Sequence, residues 1–258
     1  MRAIFMGKHK RSAVAALEYL VQRDLEVLAV VAPDDPGDAT AQQRLDLAAE
    51  RHGLKLASDG DLYDGAVSLD GVDLVLSFLF WKRIRRPLIG AGRIGCLNFH
   101  PAPLPDMRGL GGYNVAILED FAEWGVSAHF VDEGFDTGDL VRVERFGIDR
   151  EHETALSLDI RSQERLLGVF REVIDMALTG VALPRRPQGE GRYVTREEFD
   201  RLRVIDLSEP PEVTERRIRA YWYPPYDGAT LGPGGLTVAN RDVLEQTAQA
   251  NRRAGLVP

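Results

Sequence analysis

Cysteine is almost missing from this chain: Cys96 is the only one in 258 residues. A lone thiol excludes an internal disulfide and any multi-cysteine metal centre, which fits a reducing cytoplasm as the compartment. Long apolar runs are missing too. None approaches the roughly 20 residues needed to cross a bilayer, and the apolar part of MRAIFMGKHK is too short for a secretory leader, so no membrane partner is expected. There is no internal repeat and no low-complexity tract. Positive charge is the scarcer sign, with 32 Lys and Arg against 40 Asp and Glu and a net charge of −8. That balance opposes a polyanionic partner, because duplex and tRNA binding draw on many cationic contacts. Nucleic acid is therefore not the expected partner.

What is present is a globular pattern, with 44% hydrophobic residues, enough for a sizeable core. Residues 2–6 read as a short buried strand ended by Gly7, and residues 13–22 as a helix with Val14, Leu17 and Leu20 or Val21 in helical spacing. Residues 25–31 form an almost continuously apolar strand, 41–52 a helix stopped by Gly53, 54–57 a short strand, and 72–78 another apolar strand. Strands alternating with helices through short loops imply an α/β fold, a doubly wound Rossmann-like parallel sheet. Ligands of such sheets sit beyond the carboxyl ends of the strands, which puts the loop after Gly7, residues 78–81 and His100 on one rim. Between Gly7 and the first helix stand Lys8, His9, Lys10 and Arg11. They make either a solvated basic turn or a site for an acceptor's phosphate at a helix N-terminus. The loop lacks G-x-G-x-x-G and is not read as a dinucleotide site.

Residues 154–178 read as one long helix with Gly180 as its stop, closing a first domain over 1–180. Residues 181–258 are expected to be a small α+β extension. Thr195-Arg-Glu-Glu198 has the form of a capping box, and 212–220 that of a second helix. The aromatics around Pro224-Pro225 either pack or stack on a ligand. A hairpin over 229–238, a polar terminal helix and a surface suited to a homodimer complete the expectation.

The chemistry concentrates between residues 98 and 139. In Asn98-Phe99-His100 an apolar ring separates two polar side chains, which a strand end would project the same way. Pro101, Pro103 and Pro105 then force an extended loop that Gly109, Gly111 and Gly112 allow to bend back. Residues 132–139 carry four acids in eight positions, which is either a solvated turn or, if Asp136 folds back on His100, a carboxylate facing an imidazole. Asn, His and Asp together can hold a carbonyl, stabilise its oxyanion and take a proton from an attacking amine. None of them is a good covalent nucleophile here, so direct transfer is expected, with no metal required. Cys96 is read as a small buried residue.

Asn98-x-His100, the Pro-Leu-Pro loop, Arg108-Gly109 and Asp136-Thr137-Gly138, with Asp136 38 positions after Asn98, resemble the folate-dependent formyltransferase family. That family includes glycinamide ribonucleotide, methionyl-tRNA and sugar N-formyltransferases. The resemblance implies 10-formyltetrahydrofolate as donor, Asn98 and His100 polarising its formyl group, and Asp136 orienting His100 or a relaying water. It implies a pterin pocket lined by Phe78, Leu79 and Phe80 and by Asp132, Gly134 and Phe135, although an aromatic run is more usually core. Arg108, Tyr113 and Asn114 are the implied acceptor contacts. His129 resembles a histidine that recurs in the family and is read as a satisfied core or supporting residue. Ala102-Pro103-Leu104-Pro105 departs from the family's Ser-Leu-Leu-Pro by losing a hydroxyl. The roughly thirty residues after the Pro-Pro segment are fewer than the barrel of the tRNA enzymes needs. The expected acceptor is a small anionic amine, first a nucleotide-linked amino sugar, then a hydroxyornithine-type siderophore precursor, then glycinamide ribonucleotide, with methionyl-tRNA disfavoured by charge. A formyltetrahydrofolate hydrolase and a non-enzymatic nucleotide-binding module are the rival readings.

Overall fold

The structure, a computed structural model, describes residues 1–206, 208–226 and 228–231. The chain opens with β1 (Arg2–Gly7), α1 (Arg11–Gln22) and β2 (Glu26–Val31), followed by α2 (Leu45–Arg51) and α3 (Asp59–Tyr63). Next come β3 (Leu74–Phe78), α4 (Leu88–Ala91), β4 (Gly95–His100), β5 (Met107–Gly109) and α5 (Gly112–Leu118). The remainder is β6 (Glu123–Phe130), β7 (Leu140–Gly147), α6 (Ala155–Leu178), β8 (Arg192–Val194), α7 (Arg196–Leu202), β9 (Val204–Ile205), α8 (Pro211–Ala220) and β10 (Thr230–Leu231).

Six strands form the main sheet in the order β2-β1-β3-β4-β6-β7. The pairs β1–β2, β1–β3 and β3–β4 are parallel, as the strand–helix alternation predicts. β6 is antiparallel to β4, which differs from an all-parallel sheet. A parallel neighbour needs a crossover that recrosses the sheet, and between β4 and β6 lie only the three-residue β5 and the short α5. The predicted strand at 54–57 reduces to one bridge, Val30 to Leu56, and the helix predicted from 41 begins at Leu45. α3 was not foreseen; its Ser58 cap and Asp61 exchange hydrogen bonds in a capping box.

Two compact units divide the chain, and their boundary is not a single cut near residue 180. The first consists of Met1–Leu104, Val126–Glu144 and Glu164–Gly189; the second of Pro105–Gly125, Arg145–Gln163 and the described residues from Glu190 on. From Glu190 on, the described part of the predicted extension shares its unit with α5 and the start of α6, where Asn114 donates to Ala220 O at 2.7 Å and β5 pairs with β8, while residues 181–189 belong to the first unit. In the predicted capping box Thr195 does accept from Glu198 N, but the Glu198 carboxylate pairs with Arg192. The predicted hairpin lies mostly, and the terminal helix wholly, outside the described residues.

The two faces of the first unit's sheet differ. Phe5, Phe78 and Phe99 pack around Phe170 of α6, with centroids 6.2, 5.6 and 4.7 Å from its ring. The other face carries the apolar cluster of Ile4, Met6, Val75 and Cys96. Burial pushes the Cys96 thiol up to about 12, so it is a packing residue and not a thiolate at neutral pH.

Candidate active site

Register builds the site. Met6 of β1 pairs with Ser77 of β3, Ser77 with Asn98 of β4, and Asn98 with His129 of β6, so one row of side chains crosses one face of the sheet. The row begins apolar and becomes polar where β4 ends. Asp136 reaches it from the turn after β6, with its backbone in the left-handed region at φ 54, a conformation Asp tolerates better than most residues.

Asp136 Oδ1 is the meeting point. It lies 3.5 Å from Asn98 Nδ2, 3.7 Å from His100 Nδ1 and 3.6 Å from His129 Nε2. The His100 and Asp136 side chains are 13% and 17% exposed, so both are nearly desolvated yet still open to a ligand. Charge interactions are stronger there than at a wet surface. The structure thus brings Asn98, His100 and Asp136 together. It also adds two residues. His129 is buried, and its Nδ1 must carry the proton it shares with Phe130 O at 2.7 Å, since a carbonyl only accepts. In the neutral ring Nε2 then accepts from Asn98 Nδ2 at 3.1 Å. Ser77, which sequence reasoning missed, donates to Asn98 Oδ1 at 2.7 Å.

Two loops frame the row. In the acidic turn, Asp132 Oδ1 accepts from Gly134 N at 2.9 Å and Thr137 Oγ1 at 2.6 Å. A Cβ at Gly134 would stand 2.1 Å from Thr137 Oγ1, and one at Gly138 2.0 Å from Phe130 O, so only glycine closes this turn. The proline loop is pinned by Ser127, whose Oγ donates to Ala102 O at 2.8 Å and accepts from Leu104 N at 2.9 Å. That anchor comes from the strand, whatever side chain residue 102 carries.

Beyond β3, Leu79 has φ 58 and breaks the strand's alternation. Phe80 consequently lines a cavity of about 330 Å³ with Met6, Tyr63, Leu88 and the cationic side chains of Lys82, Arg83 and Arg85. Met6 belongs both to this cavity and to the row that contains Asn98. The acidic turn meets the same segment: the Arg83 guanidinium lies 4.9 Å from the Phe135 ring centroid, and Arg86 pairs with Glu133 at 2.7 Å. Arg83 and Arg86 thus clasp the acidic turn that carries Asp132, Gly134 and Phe135 to the segment that follows Phe80. Phe78 is not among them. Its ring is fully buried in the aromatic core, against the expectation that it lines a pocket, because it alternates onto the opposite face from Ser77.

Of the basic loop, Lys8 and Arg11 are exposed and Lys10 is the N-cap residue of α1. His9 departs from the expected acceptor contact. Its Nε2 donates to Pro33 O and its Nδ1 accepts from Leu45 N, each at 3.1 Å, so both nitrogens are spent bracing neighbouring loops. Arg108, Tyr113 and Asn114 belong to the second unit. Arg108 sits on β5 opposite Tyr193 of β8. Burial, then Asp159 nearby, push the Tyr113 phenol up, and its ring lies 5.7 Å from Trp124. Asn114 is committed to Ala220 O.

An open α/β sheet carries an amide, an imidazole and a carboxylate at the carboxyl end of a central strand, groups that can hold a carbonyl and move a proton. The comparisons make the class specific. Residues 4–174 match the formyl transferase family, and the chain belongs to it. Methionyl-tRNA formyltransferase of Acidovorax ebreus is 30% identical over 92% of this chain and 78% of its own length. That of Halorhodospira halophila is 31% identical over 99% and 84%. An N-formyltransferase from Helicobacter canadensis, solved with folinic acid and dTDP-3-aminofucose, superimposes with a TM-score of 0.75 at 20% identity, over 90% of this chain and 85% of that one. A 4-N formyltransferase from Francisella tularensis gives 0.73 at 21% identity, over 92% and 95%. These likenesses bear out the predicted fold. The protein is a member of the formyl transferase family, and among its described residues no helix is long and apolar enough to cross a membrane.

Proposed function

We propose that the protein transfers the formyl group of 10-formyltetrahydrofolate to the primary amine of a small anionic acceptor, first a nucleotide-linked amino sugar. The observation that carries this is the cluster of Asn98, His100 and Asp136 on the same sheet face as the cavity walled by Met6, Phe80 and Leu88. A cavity of this size, walled on one side by Met6, Tyr63, Phe80 and Leu88 and carrying Asp59, Lys82, Arg83 and Arg85 as polar partners, suits a heteroaromatic ring with hydrogen-bonding edges, and the residues present fit the pterin. Bound there, the folate supplies an activated one-carbon electrophile. Asn98 Nδ2 and a protonated His100 donate to the formyl oxygen as it gains charge. Asp136 accepts the proton that the attacking amine loses and, as the bond from the formyl carbon to the folate nitrogen breaks, that proton passes to the departing nitrogen, so tetrahydrofolate leaves neutral. Lys8, Lys10 and Arg11, at the N-terminus of α1, hold an acceptor phosphate.

The amino-sugar reading draws on this loop and on the sugar nucleotide bound by the Helicobacter relative. Methionyl-tRNA is the second reading, favoured by the names of relatives near 30% identity and opposed by a net charge of −8. Tetrahydrofolate release, measured with a dTDP-amino sugar, hydroxyornithine, glycinamide ribonucleotide and methionyl-tRNA in turn, tests both. Turnover with the sugar nucleotide is expected. Turnover with the tRNA alone reverses the choice of acceptor, and formate release without any amine makes the protein a hydrolase.

A further inference from the structure

We propose that Ser77 is a positioning residue that fixes the polarity of the Asn98 carboxamide. β3 reads Leu-Val-Leu-Ser-Phe, and every residue in it is buried. A hydroxyl in such a strand costs free energy unless it is bonded, and Ser77 has one hydrogen-bond partner among the described residues, Asn98 Oδ1 at 2.7 Å. Parallel register places the two directly opposite each other, on the face that carries the site. A carboxamide has two nearly isosteric ends, so packing alone does not decide which end faces a ligand. Its neighbours decide. From β6, Phe130 O takes the Nδ1 proton of His129, and in the neutral ring Nε2 accepts from Asn98 Nδ2, with Asp136 Oδ1 3.6 Å from the same nitrogen. From β3, the buried Ser77 hydroxyl finds the acceptor for its proton in Asn98 Oδ1; against a flipped NH2 end it could only accept, and that proton would have no acceptor among the described residues. The two demands agree: the oxygen of Asn98 turns to β3, and the NH2 end turns to His129 and Asp136, where its contact with Asp136 Oδ1 is a long 3.5 Å that an incoming carbonyl oxygen can replace.

Without Ser77, one anchor of this relay is lost and the flipped carboxamide, presenting an oxygen to the formyl oxygen, becomes populated. The inference rests on Asn98 being the donor in formyl transfer, yet its first readout needs no turnover. In the ligand-free enzyme with 15N-labelled Asn side chains, the two Asn98 amide protons are expected as separate, exchange-protected signals. In Ser77→Ala they are expected to lose that protection and to shift towards the positions of a solvated carboxamide. Steady-state kinetics should show kcat reduced about tenfold, with the KM for the folate unchanged and the rate recovered in Ser77→Thr, which keeps the hydroxyl. Ser77→Cys, a weaker donor of similar size, should fall between the two and serves if the alanine variant does not fold. Unchanged amide signals in Ser77→Ala, or in Ser77→Cys where that stands in, overturn the proposal even if the enzyme proves to use another acceptor. So does a loss of rate that Ser77→Thr fails to recover.

Discussion

The two faces of one strand divide the labour of this molecule. On β4, Phe99 packs at 4.7 Å against Phe170 and is fully buried, while Asn98 and His100, one residue to either side, point to the opposite face and meet Asp136. Alternation along a strand is enough to set a structural residue beside a chemical one. The same division runs through β3, where Phe78 joins the aromatic core and Ser77 bonds Asn98. Stability and catalysis should therefore separate at single-residue resolution along both strands.

The sharpest break of that comparison uses neighbouring substitutions. Asn98→Ala should reduce kcat by about 100- to 1,000-fold, the usual cost of one oxyanion donor, with thermal unfolding little changed. Phe99→Ala should do the reverse, costing about 3–5 kcal/mol of stability in a denaturant melt. Similar behaviour of the two variants in both assays would erase the distinction between the faces. At the rim, removing Lys8, Lys10 and Arg11 together should raise the acceptor's KM roughly tenfold, from about 0.3–1 kcal/mol per charge near a helix end. Folate KM should not move, and an unchanged acceptor KM would return the loop to a solvated turn. Inside the cluster behind the site, the Cys96 thiol, pushed up to about 12 by burial, should resist Ellman's reagent in the native protein and react on unfolding. Rapid native labelling would mean that this face is open.

The smallest expected effect lies away from both faces. The Arg2 backbone N–H, 2.8 Å from Asp73, and then Arg93 hold the Asp73 carboxyl below its usual range. A depressed carboxyl stabilises the fold fully above its unfolded value of about 3.9 and loses that contribution as pH falls through its folded value. Asp73→Asn should therefore cost stability at neutral pH and flatten the decline below about pH 4. An unchanged acid limb in urea melts would remove Asp73 from the account.

The sequence made legible what depends on local pattern and on motif. Asn-Phe-His reads directly as two polar groups around a core ring, and the Asp-Thr-Gly turn carries its glycine requirement in its letters. What depended on register did not show. Ser77 is one small polar residue in an apolar run, and only the pairing of β3 with β4 gives it a partner. Phe78 and Phe80 look alike in sequence; the left-handed Leu79 between them sends one to the core and the other to the cavity. His9 sits in a basic run, and its use as a brace requires the loops at Pro33 and Leu45 to arrive from elsewhere in the chain. The antiparallel β6 and the interleaved units were hidden for the same reason, since both are set by contacts between distant segments.

A double-mutant cycle on His100→Ala and Asp136→Asn, followed by the rate of tetrahydrofolate release, tests most directly whether the imidazole and the carboxylate act as one device. If they do, the double variant should be scarcely slower than the worse single variant, as for groups that work as a unit. Losses that multiply in full would mean that the 3.7 Å approach of His100 to Asp136 has no part in formyl transfer.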